Sequence, residues 1–282
     1  MKSLLSVIAI STVFFFQSPP VQAQDAAERS VTEISDGVYR LQNNFHYSMV
    51  VLTGEGAVVV DPINADAAEW IKSEVAKLTD KPITHLIYSH SHGDHASGGA
   101  VLADGAAVIA QSNAPGKIDG VEPTLRFDDT HQFEQGDKSF ELTWLGPGHG
   151  EDLITVIVRP DNVAFITDVA APKRLPWRNM GGANIDDWID QIRKVESLDF
   201  EIFAPAHGNV GVKSDATLVR EYMEELKSVV LAGIEEGKTT EQLQTEVSMS
   251  EYKDWGQYDT WRTENIAGMA DFLISSGQAS SN

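Results

Sequence analysis

The stretch that decides the fold is His90-Ser91-His92-Gly93-Asp94-His95, which places three imidazoles and one carboxylate within six residues. The preceding run Ile83–Tyr88 is apolar and rich in β-branched residues, and Ala96–Leu102 has a helical pattern. The cluster is therefore predicted to lie on a strand-to-helix turn, at the sheet edge where open α/β sheets build their sites. So dense a group of metal-ligating side chains predicts a metal site rather than a polar surface loop.

Three further candidate ligands follow apolar strand patterns in the same way. His149 lies in the glycine-rich turn 146–150, between two such patterns. Asp168 follows the run Val163–Thr167, and His207 follows Ile202–Ala206. Because the ligand-bearing strand ends recur, we interpret them as one constellation.

In these residues the chain resembles the metallo-β-lactamase-fold superfamily. The H-x-H-x-D-H motif of that family is matched by His90, His92, Asp94 and His95, and its later His, Asp and His are matched by His149, Asp168 and His207. The resemblance extends over roughly residues 35–210 and is specific for the fold and the metals, but not for the substrate.

The resemblance implies two metal positions. The first would be held by His90, His92 and His149, the second by Asp94, His95 and His207, with Asp168 bridging them. Imidazole and carboxylate ligands suit two divalent ions, with zinc the usual choice for hydrolysis and iron or manganese as alternatives. No thiolate can contribute, because the chain has no Cys.

The expected reaction is hydrolysis by a metal-bound hydroxide. Two ions about 3.5–4 Å apart can polarise a carbonyl or phosphoryl oxygen and lower the pKa of a shared water to roughly 7. Asp94 is the candidate catalytic residue that orients this water and relays a proton. The alternative is that Asp94 serves only as a ligand.

The repeated order of strand, helix and ligand-bearing strand predicts an α/β protein, a four-layer αββα sandwich with C-terminal helices. One half runs through a helix at Asn64–Thr79 and the other through a helix at Asp186–Leu198. We assign residues 24–211 to this domain and residues 212–282 to a helical extension packed on it. The extension begins with the amphipathic segment Asp215–Glu236, and Gly237 follows as a stop.

Residues 1–23 are predicted to be a signal peptide. Lys2 is followed by the apolar run Leu4–Phe16 and by small residues ending at Ala23. The run is shorter than the roughly 20 residues that span a bilayer. The protein is therefore expected to be periplasmic or secreted, cut near Ala23 and without a stable membrane anchor afterwards. An uncleaved anchor is the alternative.

The charge balance bears on possible partners. The chain carries 42 acidic against 21 Lys and Arg side chains, a formal net charge of −21, and loss of Lys2 with the signal would make it −22. Nucleic acid is an unsuitable partner for so acidic a chain. The expected partner is a small-molecule substrate.

Two loops are candidates for substrate contact. The first contains Phe45, His46 and Tyr47, and the second contains Lys173, Arg174, Trp177 and Arg178. In so acidic a chain, three bases around one Trp suggest a pocket for an anionic, partly apolar substrate. The alternative is a loop whose bases pair with local acids. His46 is expected to form a hydrogen bond in a flap, while His85 and His131 are expected to be structural.

Three classes of function remain open. The leading hypothesis is an exported, β-lactamase-like hydrolase that opens a lactam, lactone, ester or thioester. Within this class a glyoxalase II-like thioesterase is an alternative, supported by Asp168 and the C-terminal helices, although its glutathione substrates are mainly cytosolic. The second class is oxidative: a mononuclear iron relative acting on persulfides would use only part of the ligand set. The third class is a non-catalytic metal or ligand binder.

Overall fold

The computed structural model describes residues 26–280, so the predicted signal peptide lies outside the described residues. One sheet has seven strands in sequence order. They are β1 (Arg29–Ser35), β2 (Val38–Asn43), β3 (His46–Thr53), β4 (Gly56–Val60), β5 (Ile83–Ile87), β6 (Ala107–Gln111) and β7 (Leu125–Phe127). Strands β1 to β4 are antiparallel, and β4 to β7 run parallel.

The second sheet has six strands in the order β13-β12-β11-β10-β9-β8. They are β8 (Thr130–Gln135), β9 (Lys138–Trp144), β10 (Ile154–Arg159), β11 (Val163–Ile166), β12 (Ile202–Pro205) and β13 (Gly211–Val212). Strands β11 and β12 are parallel, and the other neighbouring pairs are antiparallel.

The described residues contain six α-helices, and three of them begin at a capping side chain. The six are α1 (Ala65–Leu78), α2 (Gly93–Ala96), α3 (Ile185–Ser197), α4 (Ser214–Glu235), α5 (Thr240–Glu246) and α6 (Tyr258–Ser275). Asn64 and Asn184 accept hydrogen bonds from the first turns of α1 and α3, and Thr239 forms a capping box with Gln242 at α5. Within residues 26–280, no helix combines the length and apolarity needed to cross a membrane.

Three buried clusters separate four layers and confirm the predicted αββα sandwich. The inner faces of the two sheets meet in one cluster, where Met49 and Ile87 share a core with Phe140 and Phe165. On the outer face of the first sheet, α1 buries Ile71 and its neighbours. Strand β4 is apolar on both faces because it lies between two such clusters.

The C-terminal helices belong to the outer layer of the second sheet. Tyr222 of α4 and Met269 of α6 are buried in the same cluster as Trp188 of α3 and Ile166 of β11. Since β13 extends the second sheet to Val212, the sheet itself reaches across the boundary expected at residue 211. The division into a domain and an extension stays a prediction.

The helix expected over Ala96–Leu102 is wrong. Helix α2 ends at Ala96, and only a 3-10 turn follows at Gly99–Val101. Gly98 has a φ of +80°, and a Cβ there would lie 2.4 Å from the backbone nitrogen of Ala65. The close approach to the start of α1 requires glycine in a left-handed conformation, which ends the helix.

Candidate metal centre

The seven predicted ligands come from four segments that end at one edge of the sandwich. The H-x-H-x-D-H motif follows β5, and His149 lies in the connection between β9 and β10. Asp168 comes two residues after β11, and His207 comes two residues after β12. The parallel pairing of β11 with β12 brings these last two segments side by side.

The seven side chains form two groups that share one residue. His90, His92 and His149 converge with Asp168 in the first group, and Asp94, His95 and His207 converge with Asp168 in the second. Within each group, one donor atom per residue lies within 4.8 Å of all the others. The division is the one that the family resemblance implied.

The carboxylate of Asp168 faces both groups, one oxygen to each. Its Oδ2 lies 3.2 Å from Nε2 of His149 and 3.6 Å from Nε2 of His90. Its Oδ1 lies 3.1 Å from Nε2 of His207 and 3.2 Å from Nε2 of His95. Burial opposes ionisation, but the surrounding imidazoles, His95 above all, hold the pKa of Asp168 well below its ordinary value.

The donor atoms fit divalent metal ions. His90 Nε2, His149 Nε2 and Asp168 Oδ1 are buried, and none has a hydrogen-bond partner among residues 26–280. Burial, together with the neighbouring His90 and His149, lowers the pKa of His92 to about 4. A lowered pKa favours the neutral imidazole, the state in which this side chain can bind a metal. Nitrogen and carboxylate donors of this kind suit zinc, iron or manganese.

Asp61 orients one imidazole of each group. It follows β4, is fully buried and accepts a 2.6 Å hydrogen bond from Ser89 Oγ at Oδ2, with His95 Nδ1 3.1 Å from the same oxygen. Ser89 Oγ in turn lies 3.1 Å from His90 Nδ1. With their Nδ1 atoms donating to this network, both rings present Nε2 toward Asp168. Sequence reasoning missed Asp61, although a carboxylate directly after an apolar strand was a usable signal.

Helix α3 positions the His149 loop. Gln191 is fully buried, accepts from the backbone N–H of His149 at 2.8 Å and donates to the carbonyl of Gly146 at 2.7 Å. The Trp188 ring meets the His149 ring edge to face, with 4.7 Å between centroids. The helical pattern predicted α3 but gave no sign that Gln191 would serve the site.

Only some residues of the two predicted substrate loops line a cavity. A cavity of about 750 Å³ lies over the two groups, and of the seven predicted contacts it is lined by Phe45, His46, Arg174, Trp177 and Arg178. Tyr47 is not among the lining residues, because its ring lies 3.6 Å beneath the guanidinium of Arg40. Lys173 is exposed outside the cavity, where its backbone is paired with Gly256.

His46 contacts the second group. Its Nε2 lies 3.3 Å from Asp94 Oδ2, and its ring centroid lies 4.8 Å from that of His207. Burial opposes ionisation of Asp94, but the hydrogen bond from His46 and the charge of His95 hold the pKa of Asp94 well below its ordinary value. His85 and His131 belong to neither group, and both stack on Phe133.

Helix α6 and Gln257 before it form a wall of the cavity, and sequence reasoning named none of the residues that line it. Gln257, Thr260, Trp261 and Glu264 line it from the C-terminal side. The guanidinium of Arg174 lies 4.7 Å from the Trp261 ring centroid, and it has no ion pair or side-chain hydrogen bond among residues 26–280. Burial lowers the pKa of Arg174, opposed by the charge of Asp168. Only the tertiary contact identifies Trp261, since in sequence it is one aromatic residue of an ordinary helix.

Known proteins resemble this chain in sequence and in fold. The model of a family described as the metallo-beta-lactamase superfamily matches residues 42–207, more than half of the chain and all seven predicted ligands. The subunit alpha of 2,4-dinitroanisole O-demethylase from Nocardioides sp. (strain JS1661) is 23% identical over 203 residues, which are 68% of this chain and 59% of that subunit. A metallo-beta-lactamase type 2 from Elizabethkingia meningoseptica is 23% identical, over 61% of this chain and 75% of its own.

A third relative, a hydroxyacylglutathione hydrolase from Francisella philomiragia, is 25% identical over 57% of this chain and 62% of its own. The chain thus spans less than two thirds of the demethylase subunit and of this hydrolase. Among solved structures, the metallo-beta-lactamase FIM-1 from Pseudomonas aeruginosa, in a mono-zinc form, has a TM-score of 0.61 at 20% identity, covering 70% of this chain and 95% of its own. The sec-alkylsulfatase Pisa1 from Pseudomonas sp. has a TM-score of 0.67 at 15% identity, covering 86% and 50%.

Proposed function

The chain belongs to the metallo-β-lactamase superfamily, and we propose that within it the protein is a dinuclear hydrolase, with zinc as its metal, that opens a lactam, lactone, ester or thioester. The observation that carries the proposal is the position of Asp168, whose two oxygens face different donor groups at 3.1–3.6 Å. A carboxylate placed in this way can bridge two ions. Ions bound there would supply Lewis acidity and a water activated at neutral pH.

Asp94 is the proposed catalytic residue. Its side chain faces the cavity and is 48% exposed. Among the side chains of the two groups that make an ion-pair contact, it is the most exposed. A carboxylate kept ionised at this position can accept a proton from a water and hand it on to a leaving group. Binding a metal and orienting water are compatible roles for the two oxygens of one carboxylate.

The proposed substrate carries an anionic group and an apolar part. Arg174 supplies a guanidinium that has no ion pair or side-chain hydrogen bond among residues 26–280, and Trp177, which is 54% exposed, lies in the same wall with Arg178. Leu175, Met180 and Trp261 provide apolar surface around them. A guanidinium stacked on an aromatic ring is well suited to bind a carboxylate or a similar anion.

A thioesterase of the glyoxalase II type is the second candidate. The contribution of α6 to the cavity and the hydroxyacylglutathione hydrolase relative both favour it. A mononuclear iron enzyme acting on persulfides would not use the second donor group. A non-catalytic metal binder would not need the cavity above the metal positions. We place the protein in the periplasm or outside the cell, a proposal that rests on residues 1–23 alone.

Metal analysis followed by a substrate panel tests the proposal. Protein purified from its native compartment should contain two zinc ions per chain, and His92→Ala and His207→Ala should each lose one, whereas His131→Ala should keep both. The panel should include β-lactam, lactone, ester, thioester, phosphodiester and sulfate ester substrates. One ion per chain under excess zinc, with unchanged content in His207→Ala, would count against the dinuclear proposal. Turnover restricted to phosphodiesters or sulfate esters would count against the proposed bond classes.

A further inference from the structure

The two donor groups are held by different parts of the fold. His90 and His149 of the first group are supported by Ser89 and by residues of helix α3, all within the sandwich. The side chain of His90 is fully buried. Two members of the second group, Asp94 and His207, face the hairpin that joins β2 to β3.

The hairpin turn contacts both of these members. Nδ1 of His207 lies 2.8 Å from the carbonyl oxygen of Phe45, so that the ring donates there and presents Nε2 to the donor group. Nε2 of His46 lies 3.3 Å from Oδ2 of Asp94. The N–H of Tyr47 donates to the carbonyl of Ala206 at 2.9 Å, next to His207 in the chain.

Arg40 connects the base of the hairpin to the segment that carries His207 through hydrogen bonds. Its guanidinium donates to the carbonyls of Pro205 and Gly208, the latter at 3.0 Å, and stacks on the Tyr47 ring. Burial lowers the pKa of Arg40 to about 10, so the group remains cationic at neutral pH. Arg40 is 5% exposed and makes no ion pair among residues 26–280, so its stabilising contacts are those with the two carbonyls and Tyr47.

We propose that the β2–β3 hairpin is the positioning element of the second metal position, and that His46 is a positioning residue acting through Asp94. The proposal rests on the dinuclear function proposed above. Partners that orient metal ligands typically change metal affinity by about 10–100-fold. Among residues 26–280, the contacts of the hairpin turn with the donor groups all involve the second group. The affinity for the second ion therefore depends on the hairpin, whereas the affinity for the first ion does not.

Calorimetric titration of zinc into the metal-free full-length protein separates the two binding events. His46→Phe removes the hydrogen-bonding nitrogens but keeps a ring against His207. It should weaken the second event by about 10–100-fold and leave the first unchanged. His46→Gln retains a donor and should recover most of the second affinity. His131→Phe, the same substitution in a ring stacked between Phe127 and Phe133, should bind as the wild type does.

Tyr47→Leu provides a second route if His46→Phe fails to fold by circular dichroism. It removes the ring on which Arg40 stacks and should also weaken the second event selectively. An unchanged second event in the folded variants, or equal weakening of both events, would overturn the proposal. A wild-type chain that binds a single ion would overturn it together with the dinuclear function. If the variants selectively lose the second ion but the wild-type protein turns over none of the substrates, the hairpin proposal is supported and only the proposed hydrolase function is contradicted.

Discussion

Asp61 and His95 form a buried contact of 3.1 Å, between Oδ2 of the carboxylate and Nδ1 of the ring, and neither side chain reaches solvent. They are 34 residues apart: Asp61 directly follows β4, and His95 lies in α2, in the segment that follows the neighbouring parallel strand β5. The contact sets which nitrogen of His95 faces Asp168. The orientation of a ligand is therefore decided by a residue outside the donor groups.

Replacing this carboxylate should reduce metal affinity. Asp61→Asn keeps the size of the side chain but removes the charge that orders His95 and Ser89, so zinc affinity should fall by about 10–100-fold. Equilibrium dialysis against zinc measures the change. Asp119→Asn, in a carboxylate that accepts from the N–H of Gly98 and belongs to neither donor group, is the matched control. Equal zinc affinity in both variants would show that Asp61 does not tune the site.

Asp94 should matter more to turnover than to retention of the first ion. Losing a positioned proton-transfer group typically costs about 10²–10⁴-fold in rate. Asp94→Asn should therefore lower kcat by that order, while metal analysis still finds the ion of the His90, His92 and His149 group. Near-normal kcat would show that the attacking water needs no help from this carboxylate.

Arg174 should determine the preference for anionic substrates. A hydrogen bond to a charged group contributes about 1.5–3 kcal/mol, so Arg174→Met should reduce kcat/KM for an acidic substrate by roughly 10- to 100-fold, mainly through KM. The neutral methyl ester of the same substrate should be affected little. Lys173→Met changes the adjacent base, which is exposed outside the cavity, and should leave both substrates unaffected. An equal effect of Arg174→Met on acid and ester would exclude the anchor.

Asn265 should contribute to stability and hold the wall of the cavity. It is fully buried, donates to the carbonyls of Pro176 and Arg178, and accepts from the Tyr222 hydroxyl at 2.7 Å. Asn265→Ala leaves these groups unsatisfied, so the free energy of unfolding in urea should fall by about 1–3 kcal/mol. Asn113→Ala, at an exposed position, should change it by less than about 0.5 kcal/mol. Equal losses in the two variants would contradict the role assigned to Asn265.

His85 should make stability depend on pH. Burial, reinforced by His131, lowers the pKa of His85 in the folded protein. The unfolded chain, with a His pKa of about 6.5, then binds more protons, so this contribution is complete above about pH 6.5 and is lost as the pH falls toward the folded pKa. The Tm of zinc-saturated protein should therefore decrease below about pH 6.5, and the decrease should be smaller in His85→Phe. The same decrease in both proteins would assign the pH dependence to other groups.

The elements with a local signal could be predicted closely. The apolar period and the cap at Asn64 predicted a helix at Asn64–Thr79, and the structure has it at Ala65–Leu78. The helix expected at Ala96–Leu102 was wrong because the conformation of Gly98 is imposed by the start of α1, a segment more than 30 residues away. Local periodicity carries no information about such an approach.

The candidate site shows the same difference between features with a local sequence signal and features set by tertiary contacts. The sequence by itself predicted the seven candidate ligands and determined the αββα layers, because ligand types, their spacing and the alternation of strand and helix patterns are properties of consecutive residues. Only the tertiary structure decided that Asp61 orients His95, that His46 reaches Asp94, and that Arg174 but not Lys173 faces the cavity. Each of these depends on a distance of a few ångströms between side chains that are far apart in the chain, and that distance is set by how the layers pack.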